Sequence, residues 1–222
     1  MELRILPHQQ AECQRCQLHQ SSYSNDGRYY ANCVSGTGPV PCDVMLVGEA
    51  LGSDEVYARK PFVGVSGRFL DQCLIEAGTR REDVYVTNSL RCRPESNKLP
   101  TRKSELDACL NSCHSYLADE IAQVQPKVII ALGNVAFDAL LTAEQFKEEG
   151  RGGITKAGVQ GVPKWSNLWN CWIVPTYHPS FVCNRQLDKK PNLVETLAKA
   201  FELSVVGEVS QPVQVVGNYE KI

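Results

Sequence analysis

The residues best equipped for chemistry begin at "GEALGSDE", Gly48 to Glu55, directly after the apolar run Val44-Met45-Leu46-Val47. Glycines that follow a buried strand often cradle phosphate through backbone N–H groups. This loop does not fit that use. A Walker loop places four residues between its glycines and then Lys-Ser or Lys-Thr, whereas Gly48 and Gly52 bracket three and Ser53-Asp54 follow. The Gly-x-Gly-x-x-Gly of a dinucleotide loop is missing too, and Glu49, Asp54 and Glu55 would repel phosphate. Three other side chains suggest a different ligand: Phe62 in "KPFVG", Asn88, and His178, whose turn Pro179 stiffens. An aromatic plate, an amide that donates and accepts, and an imidazole suit a planar, hydrogen-bonding ring. Singly, each has a plainer reading as core aromatic, turn residue or structural histidine. Together, close to successive strand ends, they read as a site.

The chain also has ten cysteines. Cys13 and Cys16 form Cys-x-x-Cys, a spacing open to zinc, redox or chance. A zinc ribbon needs a second Cys-x-x-Cys, and there is none. A thioredoxin motif follows a strand inside a βαβ unit, whereas this pair precedes the first strand.

Four apolar runs read as the strands that position these groups: Asp43–Val47, Val84–Thr87, Lys127–Leu132 and Cys171–Pro175. Helical periods separate them. Ser66 is expected to cap a helix with Phe69, Leu70, Cys73, Leu74 and Ala77 on one face and Gly78 at its end. A long helix should span about 104–124, a third should begin at an Asn134 cap, and a last should cover about 192–203. Alternating strands and helices imply an α/β fold: a three-layer α/β/α sandwich on a four-stranded, mostly parallel sheet. Ligands in such sheets bind beyond the carboxyl ends of the strands, where Gly48-Glu49-Ala50, Asn88, Gly133-Asn134 and Thr176 to Pro179 fall. The glycine-rich stretch 144–169 reads as an irregular surface insertion. One domain over 1–204 with a C-terminal tail, 205–222, is the expected organisation.

With 222 residues the chain can bury a full core, and its net charge of -2 argues against a generally basic nucleic-acid binder. A local basic segment, 79–103, carries Arg80, Arg81, Arg91, Arg93, Lys98, Arg102 and Lys103. "MELRILPHQQ" lacks the apolar core of a signal peptide and no run has the length of a membrane span, so a cytoplasmic or nuclear, non-membrane protein is expected. In that compartment the cysteines should be metal ligands or simply buried.

The stretches "CQRC", "VGEALGSDE", "PFVGVSGRFLD", "REDVYVTNSLRCRP", "PKVIIALGNVA" and "PTYHPSF" together resemble the uracil-DNA glycosylase superfamily, most closely its iron–sulfur family 4. They lie in the family's order from about Glu12 to Phe181. Leu51 and Glu95 stand where the family usually has proline.

The resemblance implies a repair enzyme that flips uracil out of DNA and hydrolyses its glycosidic bond, acting as a monomer. It implies that Phe62 stacks on the base and that Asn88 pairs with O4 and N3–H. His178 would donate to O2, and Glu49 would position water or stabilise the cationic sugar. Backbone at Gly48 and Ala50 would approach the base, and Glu55 would crowd its C5 edge. Asn97, Lys98 and Ser180 would contact DNA, with Phe181 as a wedge. It further implies a [4Fe–4S] cluster on Cys13, Cys16, Cys92 and either Cys113 or Cys109; spacing to Pro126 favours Cys113, spacing from Cys92 favours Cys109. Cys33, Cys42, Cys73, Cys171 and Cys183 read as buried or incidental. Two alternatives are specificity for hypoxanthine or xanthine and a non-catalytic DNA-binding relative. A variant that stays covalently attached to DNA would need a histidine in "RCRPESNKLPTRKSE", which has none.

Overall fold

A computed structural model describes residues 13–21, 33–141, 154 and 158–206. The strands are β1 (Val44–Gly48), β2 (Tyr85–Asn88), β3 (Val128–Leu132), β4 (Lys164–Ser166) and β5 (Cys171–Thr176). They form one sheet in the order β2-β1-β3-β5-β4. The first three and β5 run parallel, and β4 pairs antiparallel to β5 at the edge. The helices are α1 (Ser53–Ala58), α2 (Val65–Glu76), α3 (Lys103–Val124), α4 (Asn134–Leu140), α5 (Pro179–Arg185) and α6 (Lys190–Val206).

Alternation along the buried strands builds the two outer layers. Met45, Val47, Ile129, Ala131 and Ile173 face Leu117, Ile121 and Val124 of α3 and Ala136, Phe137 and Leu140 of α4. Val44, Leu46, Val128, Ile130, Leu132 and Val174 face α2, α5 and α6 through Leu70, Leu74, Val182, Leu193 and Leu197. The three-layer α/β sandwich is therefore as expected, but the sheet has five strands. The fifth, β4, lies in the stretch read as a surface insertion. That stretch also sends Ile154 and Val159 into the core. Gln160 hydrogen-bonds Thr196 on α6, so the 158–166 part is packed structure. The remainder of 142–157, apart from Ile154, and the expected tail beyond Val206 lie outside the described residues.

Helix starts differ slightly from expectation. Gly64, not Ser66, precedes α2, and Gly133, with φ +90°, precedes α4. Asn134 is the first residue of α4, and its Oδ1 accepts the Ile154 N–H at 2.8 Å. Among the described residues no helix is long and apolar enough to cross a membrane.

Because β1 is flanked by β2 on one side and β3 on the other, the chain changes direction of winding at its carboxyl end. A crevice opens at such a switch point.

Candidate active site

At that crevice Gly48 and Asn88 are register partners at the ends of β1 and β2. Ser89 donates from both its backbone N–H and its hydroxyl to the Gly48 carbonyl, each at 2.9 Å, which fixes the strand end. A Cβ on Gly48 would lie 2.6 Å from Phe62 Cε2 and 2.5 Å from Asn88 Oδ1. Glycine is what allows ring and amide to close over the strand. Asn88 is buried, and its Oδ1 has no hydrogen-bond partner among the described residues. A buried, unpaired acceptor costs free energy and is the mark of a group waiting for a ligand.

Phe62 has φ +53°, in the left-handed region that a bulky side chain avoids. Such strain, about 1–3 kcal/mol, persists only where surroundings enforce it. Here Gly67, on the first turn of α2, lies so close that any Cβ would collide with the Phe62 carbonyl. Arg81 donates to that carbonyl and pairs with Asp71 at 2.8 Å. The Phe62 ring is thereby held 5.9 Å from the His178 ring, tilted by 31°.

His178 caps α5, with Pro179 at the first helical position, where its missing N–H is harmless. Nδ1 accepts the Ser180 N–H at 3.1 Å and lies 2.7 Å from the Ser180 hydroxyl. An accepting Nδ1 places the proton of the neutral ring on Nε2. Nε2 is buried and unpartnered among the described residues, leaving one free donor. Burial lowers the His178 pKa to about 4, so the ring is neutral at pH 7. Burial alone also raises the Glu49 pKa above the usual carboxylate value.

These groups border a cleft of about 310 Å³ lined by Glu49, Ala50, Leu51, Phe62, Asn97, His178 and Ser180, among others. Of the sequence-derived residues, Glu55 lies on the cleft wall, but its carboxylate is engaged elsewhere. It accepts N–H groups from Gly52 at 3.1 Å, Val63 at 3.0 Å and Gly64 at 2.7 Å. Glu55 therefore ties α1 to the Phe62 loop instead of presenting a free charge to a ligand. Asn97 sits in a tight turn, Glu95–Asn97, and accepts from Arg93 Nε at 2.7 Å. A larger, open cleft of about 960 Å³ adjoins; Asn97 lines both, and Arg93 and Lys98 line the second. Phe181, 37 % exposed, follows on α5, its ring 6.0 Å from that of Tyr177. Ser180 and Phe181 lie in the first turn of α5.

Sequence reasoning did not find Gly67 or Asn184, and it read Arg81 only as part of the basic segment, whereas that side chain holds the Phe62 loop. Gly67 in the first turn of a helix is a signal of close backbone approach. Asn184, which also lines the cleft, is one turn beyond Ser180 and becomes visible once "HPSF" is read as a capped helix.

A second group of side chains lies behind the Asn88–Arg93 segment. Cys92, Cys109 and Cys113 are buried with Leu18 and Leu90, and Cys16 packs against them. The neighbouring Cys113, and less so Cys109, holds the Cys16 pKa down, at about 6. The Cys113 thiol is pushed up by Cys16 and by burial, and burial pushes Cys109 up to about 12. Cys13 is half-buried. Among the described residues no three His, Cys, Asp or Glu groups are arranged to hold a single metal ion. The donor set is instead all thiol and walled by apolar side chains, which fits a multi-iron cluster that spreads its thiolates over several metals.

The model of the uracil DNA glycosylase superfamily matches residues 35–202, which include every strand and helix above except the last four residues of α6. A type-4 uracil-DNA glycosylase of Pyrobaculum aerophilum is 36% identical over 185 residues, 83% of this chain and 86% of that protein. One of Archaeoglobus fulgidus is 34% identical over 175 residues, covering 78% and 79%. One of Thermotoga maritima is 32% identical over 200 residues, covering 89% and 92%. The strand-end crevice and its unpaired amide and imidazole thus occur in a chain that belongs to the uracil-DNA glycosylase superfamily.

Proposed function

We propose that the protein excises uracil from DNA by hydrolysing its N-glycosidic bond and leaving an abasic site. The observation that carries this reading is the pair of buried, unpartnered atoms, Asn88 Oδ1 and His178 Nε2, beside the Phe62 ring. Phe62 stacks on the flipped base, worth about 1–3 kcal/mol. Asn88 accepts N3–H through Oδ1 and donates to O4 through Nδ2. Cytosine reverses both polarities, so it leaves two buried groups unpaired at about 1–3 kcal/mol each. His178 donates from Nε2 to O2 as the C1′–N1 bond breaks and its electron pair leaves with the base. A neutral donor serves here because Ser180 holds Nδ1 as an acceptor. Glu49 faces the positive charge that develops on the sugar, or takes a proton from the water whose oxygen joins C1′. Its raised pKa suits the second task, taking a proton.

The cleft that shares Asn97 with the base pocket takes the neighbouring strand, with Lys98 and Arg93 toward phosphate and Phe181 as the wedge. A [4Fe–4S] cluster on Cys13, Cys16, Cys92 and Cys113 braces this segment structurally. Cys113 is preferred over Cys109 as fourth ligand because its spacing to Pro126, before β3, fits the family better.

The test is uracil release from a single-stranded oligonucleotide by Asn88→Asp, His178→Ala and Glu49→Gln. Loss of a transition-state donor at His178 should slow release by about 10²–10³-fold. Rates equal to the unaltered protein in all three variants would overturn the assignment.

A further inference from the structure

Arg81 belongs to the basic segment 79–103, whose cations would ordinarily be assigned to phosphate. In the fold its donors are turned to the protein. It opens the tight turn Arg81–Asp83 that leads into β2. Nε donates to Asp71 Oδ1 at 2.8 Å, and Nη2 donates to the Phe62 carbonyl. Asp71 lies one turn beyond Gly67 on α2. The residue that receives the guanidinium and the one that makes room for the Phe62 carbonyl thus share a helix face.

The peptide between Phe62 and Val63 is held at both ends. Arg81 takes its carbonyl, and the Glu55 carboxylate takes its N–H at 3.0 Å. A cation at the oxygen and an anion at the N–H both suit the peptide dipole, and such charge-assisted bonds are the strong ones. This grip sets the chain direction at Phe62, where φ stands at +53° and the ring lies against Gly48. A released carbonyl lets the backbone relax toward negative φ, and the ring turns with it. The ion pair itself is too exposed to add much stability, at 28% for Arg81 and 40% for Asp71. What it fixes is the ring.

We propose that Arg81, with Asp71, is a positioning residue for the base: it holds the Phe62 ring in place to stack and makes no contact with DNA phosphate. The proposal rests on the uracil reading above. β2 then carries two parts of the base pocket, the brace for the stacking ring just before it and Asn88 at its end.

The test uses full-length protein and three single strands. One carries deoxyuridine, for single-turnover release. One carries 2′-fluoro-2′-deoxyuridine, whose fluorine disfavours the sugar cation and blocks cleavage. One carries a tetrahydrofuran abasic analogue, which has no base to stack. Arg81→Ala should slow release by about 5- to 150-fold, the worth of one base–aromatic stack. It should weaken binding of the fluorinated strand within the same range and leave the abasic strand within about twofold. Added to Phe62→Ala, it should slow release by less than about twofold more, because the ring it serves is already gone. Its salt slope should match that of the unaltered protein, whereas a lost phosphate contact lowers the slope by about 0.7 on a single strand. Equal weakening on the fluorinated and abasic strands, a full further loss in the double variant, or a lowered salt slope would each overturn the proposal. If Arg81→Ala does not fold, Arg81→Lys keeps the charge and loses the fork, and equal weakening on the two strands overturns the proposal there. Absence of uracil release by the unaltered protein would refute the uracil reading itself, a separate outcome.

Discussion

Gly48→Ala is the smallest change that should disable the base pocket without touching any reacting group. The new Cβ would stand 2.6 Å from Phe62 Cε2 and 2.5 Å from Asn88 Oδ1. Ordinary contact between such atoms is about 3.5–4.0 Å, so each neighbour must retreat by about 1 Å. The Phe62 backbone cannot do so, since Gly67 lies against its carbonyl and Arg81 holds it. The ring must therefore swing. Asn88 is paired in register with residue 48 itself, so its amide must rotate out of line. Lost stacking costs about 1–3 kcal/mol and a misaligned buried amide about 1–3 kcal/mol more. Their sum, about 2–6 kcal/mol, corresponds to a slowing of about 30-fold to 10⁴-fold. The assay is single-turnover uracil release, with a thermal melt of the same sample to establish the folded fraction. A fully folded Gly48→Ala protein within about threefold of the unaltered rate would refute the packing argument.

Two further outcomes concern stability. His178 titrates near 4 when folded against an ordinary 6.5, so the unfolded chain binds more protons between those values and stability falls as pH drops through that window. The contribution, about 3 kcal/mol, is complete above 6.5, and denaturant midpoints of His178→Gln should show a flatter pH dependence from 4 to 6.5; parallel curves would contradict this. Glu120 is buried and accepts from Gly36 N–H, Tyr85, Thr87 and Arg91. Glu120→Ala strands the Arg91 guanidinium and should cost about 3–5 kcal/mol, read as a lowered urea midpoint; an unchanged midpoint would show the network to be inert.

The sequence by itself determined the central sheet and its main helices. Val128–Leu132 and Tyr85–Asn88 are strands because short, β-branched runs between turn signals have no better way to bury both faces. α3 was legible because its apolar residues recur at helical spacing over many turns. The residue types at the strand ends also singled out Gly48, Glu49, Asn88 and His178. β4 was not legible: three half-buried residues at a sheet edge carry no period, and only pairing with β5 makes them a strand.

What a side chain does at the site depended on contacts that no local pattern encodes. Glu55 reads as a free carboxylate until Val63 and Gly64 turn their N–H groups onto it. His178 has no defined tautomer until the turn into α5 brings Ser180 N–H to Nδ1. Local propensity and burial are properties of a segment, whereas hydrogen-bond partners and desolvation come from residues distant in the chain, and only the folded arrangement supplies those.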